Sequence, residues 1–453
     1  MPLIVSVSGI RGLTGTDLTP DVARRFAAAY GSGLSGGRVA VGRDSRPSGA
    51  WLRDAVLAGL NDVGCLPFDV DILPTPSFGY YIRANRLAGG VQITASHNPA
   101  PYNGLKLFAS DGGVLAPDDG ATVESRFRSG YFPTSPDTLT QRTERDAWRP
   151  HEQRVLELAD VPAIRDRGLT VVVDGNGGAG GPLACHLLQS LGVAVVPVAC
   201  EPDGVFRHDP EPTPDHLRDI ERLVRERPGA IGAALDPDAD RLVLIDESGN
   251  CLSEELTLAL AVRERLTHDR GPVVINLSTS QATEEIAKAA GVACHRSAVG
   301  EANVVAAMRR TGALVGGEGN GGVIDPRVGW VRDPFIGLAL ILGAMARSGQ
   351  TLSRLAGELP QFTIRKEKYS LAPAALEGAF RALTRRWPDA VADRTDGLRL
   401  TWPDRWVHVR ASNTEPIVRV IAEGRTSEVA DQLCREAGSA IHSAQSQYSG
   451  KPS

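Results

Sequence analysis

Along this chain, short apolar runs with strand character stop repeatedly at glycine-rich or charged loops, and stretches with helical periodicity follow. Ile4-Val5-Ser6-Val7 reads as a strand running into Gly9-Ile10-Arg11-Gly12, which leaves Arg11 bare between glycines. Thr19 and Pro20 predict a helix start, and Val22, Phe26 and Ala29 recur at helical spacing behind them. Val39-Ala40-Val41-Gly42 predicts a second strand, followed by the polar run Arg43-Asp44-Ser45-Arg46 and a helix from about Trp51 to Val63. Arg43 and Arg46 stay open to two readings, as phosphate ligands or as internal partners of Asp44 and Asp54. From about Asp118 to Arg154 the chain is charged, carries Pro133, Pro136 and Pro150, and shows little periodicity, which predicts a domain boundary near 150.

The strand-then-loop scheme recurs where the chemistry is densest. Ala88 to Ile93 predicts a buried strand ending in Thr94-Ala95-Ser96-His97-Asn98-Pro99, where Ser96 offers a hydroxyl nucleophile. His97 and Lys106 lie close by as proton handlers or cations, and Pro99 stops regular structure. The small-residue strand Ala230 to Leu235 leads into Asp236-Pro237-Asp238-Ala239-Asp240-Arg241. Carboxylates at i, i+2 and i+4 of an extended backbone face one way, and three such oxygens suit a hard cation. A calcium-binding EF-hand loop is excluded because Arg241 stands where glycine is required and a strand, Leu242 to Ile245, follows directly. The third loop, Gly316-Gly317-Glu318-Gly319-Asn320-Gly321-Gly322, lets a backbone approach a ligand while Glu318 and Asn320 offer groups suited to hydroxyls. Near the C-terminus, Leu398 to Trp402 and Trp406 to Val409 predict a hairpin. The loop Arg410-Ala411-Ser412-Asn413-Thr414-Glu415-Pro416 follows as a plausible phosphate cradle.

One tempting signal is weaker than it looks. Leu169 to Asp174 followed by Gly175-Asn176-Gly177-Gly178-Ala179-Gly180 satisfies GxGxxG, and Glu201 sits at the spacing a dinucleotide fingerprint wants. A glycine-rich strand-to-helix turn is equally a device for tight packing.

Length and charge narrow the class. At 453 residues the chain is too long for one core. No apolar run approaches the roughly 20 residues of a membrane span, and no secretory signal opens it, so cytoplasmic residence is the default expectation. Six cysteines without CxxC or metal-ligand spacing read as reduced core residues. The formal net charge of −5 argues against nucleic-acid binding, while a small anionic substrate needs only a local cluster of arginines.

The stretches TASHNP, DPDADR, GEGNGG and RASNTEP, in this order and at these separations, resemble the α-D-phosphohexomutase superfamily from Ser8 to Arg419. The resemblance implies three related α/β domains with mixed sheets plus a smaller C-terminal α+β domain around a central cleft. Residues 1–150 would carry the phosphoserine loop, 151–250 the metal loop, 251–362 sugar recognition, and 363–453 phosphate binding. It implies that Ser96 is the phosphoserine and that Asp236, Asp238 and Asp240 hold Mg²⁺ against its phosphate. Arg11, His97, Lys106 and Arg241 would stand at the transfer site, with the general base unassigned. Glu318 and Asn320 would read sugar hydroxyls, and Arg410, Ser412, Asn413, Thr414 and Arg419 would grip the unreacting phosphate. The implied partner is a small hexose phosphate with a hexose 1,6-bisphosphate as activator; the oligomeric state is not encoded. Two departures stand out: Asn-Gly-Gly follows Glu318-Gly319 where many bacterial members have Ser-Gly-His, and Glu301 replaces a histidine found in some members. The Asn-Gly-Gly form resembles an archaeal-type branch described as phosphoglucosamine mutases or phosphomannomutase/phosphoglucomutase enzymes, and the expectation leans to glucosamine phosphate. A noncatalytic sugar-phosphate sensor is the alternative from another class.

Overall fold

The computed structural model describes residues 3–6, 9–135, 142–411 and 417–449. Four sheets follow one another along the chain. The first is seven-stranded and mixed. Its centre is the parallel set Leu66–Ile72, Arg38–Arg43 and Gly89–Ile93, and Tyr102–Ala109 and Gly9–Leu13 add antiparallel strands beyond Gly89–Ile93. The second has Ala194–Val198, Thr170–Asp174 and Ile231–Leu235 parallel, with Leu242–Ile245 antiparallel at the edge. In the third, Cys294–Ser297, Val273–Asn276 and Val315–Glu318 are parallel and Gly322–Ile324 is antiparallel. The fourth is a five-stranded antiparallel sheet over residues 363–424, covered on one face by helices Leu376–Arg386 and Ser427–Ser449.

The first three sheets share one construction that decides where chemistry can sit. A fully buried parallel strand ends, a short loop follows, and the chain returns as an antiparallel neighbour: 89–93 to 102–109, 231–235 to 242–245, and 315–318 to 322–324. The three motif loops are these three reversals. They lie at the carboxyl ends of parallel strands, where open α/β sheets form their crevices. Backbone bonds tie the acidic loop to its surroundings: Thr75 N, at the start of helix Thr75–Ala84, donates to Asp238 O (2.8 Å), and Leu242 N donates to Gly321 O of the glycine-rich loop (3.2 Å).

Local chemistry explains much of the framework. Thr19 caps helix Pro20–Gly31 by accepting from Val22 N, and Asp333 caps helix Pro334–Ser348 by accepting from the amides of Phe335 and Ile336. The apolar core under the second sheet runs without a break into that under the third, through helices Pro334–Ser348 and Glu254–His268. Two sequence expectations change here. The charged stretch after Asp118 contains helix Pro117–Ser129, whose narrow buried face is Gly120, Val123 and Phe127 and whose C-cap is Gly130 at φ 66°. Arg11, expected as a bare loop arginine, lies within strand Gly9–Leu13 opposite Gly104, where a side chain would strike the carbonyls of Ile10 and Thr94. All six cysteines are free thiols; Cys65 and Cys434 are buried and the other four half-buried. No helix among the described residues is long and apolar enough to cross a membrane.

Candidate active site

Ser96 sits one turn past the end of strand Gly89–Ile93, at φ +52° in the left-handed region, a conformation that costs a non-glycine residue about 1–3 kcal/mol. The surroundings hold it there. Thr94 Oγ1 accepts from Ser96 N (2.9 Å) and donates to Asp44 Oδ2 (2.8 Å). Arg46, fully buried, donates to the carbonyls of Ser96 (2.6 Å), Asn98 (2.6 Å) and Pro99 (2.9 Å) while its Nε pairs with Asp44 Oδ2 at 3.0 Å. Phe206 stacks over its guanidinium at 5.0 Å. Of the two readings left open for Arg46, the internal one is correct: every arm of the fork is engaged in shaping the serine loop. Arg43 is likewise an internal partner, of Asp71 at 2.8 Å.

The acidic loop is built against this one. Asp236 Oδ1 accepts the amides of Asp240 (3.0 Å) and Arg241 (3.1 Å), and Asp238 Oδ2 accepts from Thr75 Oγ1 (2.8 Å). Asp240 Oδ2 takes Arg332 and, at 3.5 Å, Lys106. Asp238 and Asp240 therefore each give one oxygen to these partners and keep the other, while the second oxygen of Asp236 faces the serine. Asp236 Oδ2 lies 3.4 Å from Ser96 Oγ, and Asp238 Oδ1 and Asp240 Oδ1 are buried without a hydrogen bond. Ligand atoms of the three carboxylates lie within 4.8 Å of one another, a hard-oxygen set that fits a cation such as Mg²⁺. Burial and mutual repulsion push Asp236 well above the usual carboxylate range and Asp238 up to about 6. Asp240, equally buried, is held low by Arg332, Lys106 and Arg241. The GxGxxG turn supports this loop: Gly178 packs on Pro237, Gly180 on Ala239, and Ala179 N donates to Pro237 O (2.8 Å). Packing, not a dinucleotide, accounts for its glycines.

A cavity of about 380 Å³ opens over Ser96, lined by Arg11, His97, Lys106, Asp238, Asp240 and Glu301, among others. Arg241 Nη2 donates to His97 Nδ1 (2.8 Å), so that nitrogen is an acceptor, and Ser96 Oγ lies 3.2 Å from it. Burial, Arg241 and Arg11 push His97 down to about 2, so the ring is neutral. Lys106 is raised despite its burial, by Glu301 (2.8 Å) and Asp240, and stays cationic. Arg11 is lowered by burial.

A second cavity of about 440 Å³ shares His97, Arg241 and Glu318 with the first and extends to the fourth sheet. Glu318 accepts from Asn276 Nδ2 (2.8 Å) and Gly300 N (2.9 Å) at one oxygen and from Arg332 Nη1 (3.1 Å) at the other. Asn320 Oδ1 is buried with no partner and lines this space. At the far end, Lys368, Arg419 and Arg410 stand abreast on three neighbouring strands, in register. Like charges placed directly opposite one another are destabilising without an anion among them. Arg410 is thus a strand residue rather than a loop one, with Asp396 at 3.4 Å. Ser412, Asn413 and Thr414 lie outside the described residues. Glu301, Arg332 and Lys368 complete the site and belong to none of the sequence motifs.

Family models for the phosphoglucomutase/phosphomannomutase α/β/α domains I, II and III and C-terminal domain match residues 3–134, 150–249, 254–362 and 365–437. A probable phosphoglucosamine mutase of Methanopyrus kandleri is 35% identical over 94% of this chain and 95% of its own. A phosphoglucomutase/phosphomannomutase of Thermococcus kodakarensis is 36% identical over 93% of this chain and 94% of its own. The crystal structure of a phosphoglucomutase/phosphomannomutase family protein from Burkholderia thailandensis, 27% identical, matches with a TM-score of 0.84 over 97% of each chain. With all four domains matched in order and the three strand-reversal loops converging on one cleft, this chain belongs to the phosphoglucomutase/phosphomannomutase family and is a phosphohexomutase.

Proposed function

We propose that this enzyme shifts a phosphoryl group between O6 and O1 of a hexose phosphate through a phosphoserine at Ser96, with glucosamine phosphate as preferred substrate. The observation that carries the reading is the cleft's polarity: Ser96 Oγ beside Asp236 Oδ2 at one end, and the cationic row of Lys368, Arg419 and Arg410 at the other. Asp236, Asp238 and Asp240, with the Ser96 phosphate, would hold Mg²⁺, which when bound neutralises charge on the transferring group. Arg11, Lys106 and Arg241 face the same group. The Ser96 Oγ–P bond breaks as the free hydroxyl of a bound hexose monophosphate forms the new O–P bond, and that hydroxyl's proton passes through a base in the cleft to the departing Ser96 Oγ. The resulting 1,6-bisphosphate turns over within the cleft, and Ser96 Oγ takes the other phosphoryl group back. A hexose 1,6-bisphosphate would prime unphosphorylated Ser96. Gripping the remote phosphate supplies binding energy for alignment at the reacting one.

Two observations support an aminosugar. Several related proteins carry the name probable phosphoglucosamine mutase, and Asn320 Oδ1, buried without a partner and lining the second cavity, could accept from an amino group. A phosphomannomutase/phosphoglucomutase activity is the second reading, favoured by the name of the Thermococcus kodakarensis relative. The test compares kcat/KM for glucosamine, glucose and mannose 6-phosphates with bisphosphate present. Preference for glucosamine phosphate supports the first reading, and equal rates on all three overturn it. Free phosphate without isomer, or isomerisation untouched by Ser96→Ala, would sink the phosphoserine mechanism itself.

A further inference from the structure

Arg332 precedes the cap of helix Pro334–Ser348 and carries no motif of its own, yet the acidic loop and the glycine-rich loop meet at its side chain. It is 8% exposed. Its guanidinium contacts Asp240 of the acidic loop, Glu318 of the glycine-rich loop (3.1 Å) and Glu301, at the start of helix Glu301–Thr311 (3.6 Å). Its backbone N–H donates to the same Glu301 at 2.7 Å, and Glu301 holds Lys106, on the strand after the serine loop, at 2.8 Å. One planar cation therefore ties the second α/β unit to the third directly, and Glu301 extends the link to Lys106 of the first sheet. Its path depends on Gly322, where an added Cβ would press into the Arg332 side chain at Cδ and Cγ. Its backbone is anchored next door, where Asp333 caps the helix with one oxygen and receives His151 Nε2 (2.8 Å) with the other.

We propose that Arg332 is a positioning residue of the transfer reaction: it fixes Asp240 relative to Glu318 and occupies Asp240 Oδ2, so that only Oδ1 faces the cation. The proposal rests on the acidic trio being the cation site, as argued above. Its consequence is a trade. A positive charge beside the trio opposes the cation, but it keeps the cation loop in register with the sugar loop. Removing it should tighten cation binding and slow turnover together, a pair of signs that a general loosening of the fold does not produce. The fork matters as well as the charge, because an ammonium group cannot span three carboxylates.

The test uses Mn²⁺ alone, titrated into the full-length protein by electron paramagnetic resonance, alongside steady-state mutase kinetics. Arg332→Gln should bind Mn²⁺ about threefold or more tighter, since a like charge is gone, and lose about 100-fold in kcat, as misplacement on the ångström scale does. Arg332→Lys should keep the wild-type Mn²⁺ affinity and still lose at least about 10-fold in kcat. Gly322→Ala, which keeps the charge but displaces the fork, should behave like Arg332→Lys and answers the question if Arg332→Gln does not fold. Unchanged or weaker Mn²⁺ binding in Arg332→Gln, or wild-type kcat in Arg332→Lys or Gly322→Ala, overturns the proposal while leaving the cation reading intact. Wild-type protein that takes up no Mn²⁺ overturns both.

Discussion

Replacing Arg46 by lysine keeps a positive charge beside Asp44 but removes the fork that shapes the serine loop. Arg46 now satisfies the buried carbonyl of Ser96, the carbonyl of half-buried Asn98 and that of exposed Pro99, and makes a buried ion pair with Asp44. A single ammonium nitrogen that keeps the Asp44 pair can reach at most one of those carbonyls. Pro99 O keeps a donor in Tyr102 N, so one of the Ser96 and Asn98 carbonyls is left without one, at about 1–3 kcal/mol, and the variant should lose about 2 kcal/mol. For a domain of about 150 residues each kcal/mol moves the midpoint by about 2–4 °C, so the first thermal transition should fall by roughly 6 °C. The functional loss has a separate origin. Ser96 sits in a left-handed conformation at φ +52°, and with its carbonyl released the loop relaxes and takes Oγ away from Asp236. A shift of that size costs about 100-fold in kcat. Circular dichroism melts and a coupled assay of glucose 1-phosphate isomerisation measure both. A midpoint within about 2 °C of wild type, with kcat within about threefold, would refute the argument that this clamp sets the serine geometry.

Asp238→Asn should do opposite things with and without metal. Its carboxyl, raised to about 6 from 3.8 by burial and by Asp240, opposes folding increasingly as pH rises from 3.8 through 6. In chelator at pH 8 the variant should therefore be more stable than wild type by about 3 kcal/mol, converging with it near pH 4. With Mg²⁺ only wild type should gain stability, and the variant should lose turnover; equal melting in chelator at pH 8 would contradict the charge-crowding account. His408 makes the second pH prediction. Fully buried against the third domain, it donates from Nε2 to Asp396 O (2.6 Å) and accepts at Nδ1 from Ser278 Oγ (2.9 Å), and burial pushes it down to about 4 from 6.5. The folded state resists the proton that the unfolded state takes up, so stability present above pH 6.5 is lost as pH falls towards 4, by about 3 kcal/mol in all. Denaturant midpoints between pH 4.5 and 7.5 should show this acid limb, and His408→Asn should flatten it. At the far end of the cleft, Arg419→Ala should raise KM for the hexose monophosphate by about 10–100-fold, the worth of a charged hydrogen bond, and raise the melting point of the free protein slightly by relieving the row of like charges.

Which of these groups could be read in advance follows from how local their signal is. Asp236, Asp238 and Asp240 announce themselves because alternate spacing in one short loop makes a concentrated charge that needs an explanation within six residues of sequence. Ser96 is found because a buried strand visibly ends just before it. The strands themselves are apolar runs bounded by glycine and charge, so most of the sheet framework is open to the same reasoning. Helix Pro117–Ser129 escaped because only three of its residues are buried and its charged faces hide the period. Arg46 stayed open between two readings, and Arg332 escaped, for a different reason. An arginine looks the same in sequence whether it grips a substrate phosphate or a set of backbone carbonyls, and the partners that decide between these lie 50 residues away for Arg46 and Ser96, and 92 for Arg332 and Asp240. The glycines were ambiguous in the same way: GxGxxG and GGEGNGG are alike in composition, yet the first packs under the acidic loop and the second lines the sugar-side cavity. Local pattern therefore identifies the groups that would do the chemistry, whereas the groups that aim them depend on contacts between sheets. Substitutions that spare every motif, at Arg46 or Arg332, are accordingly the ones on which the account of this site is most exposed to refutation.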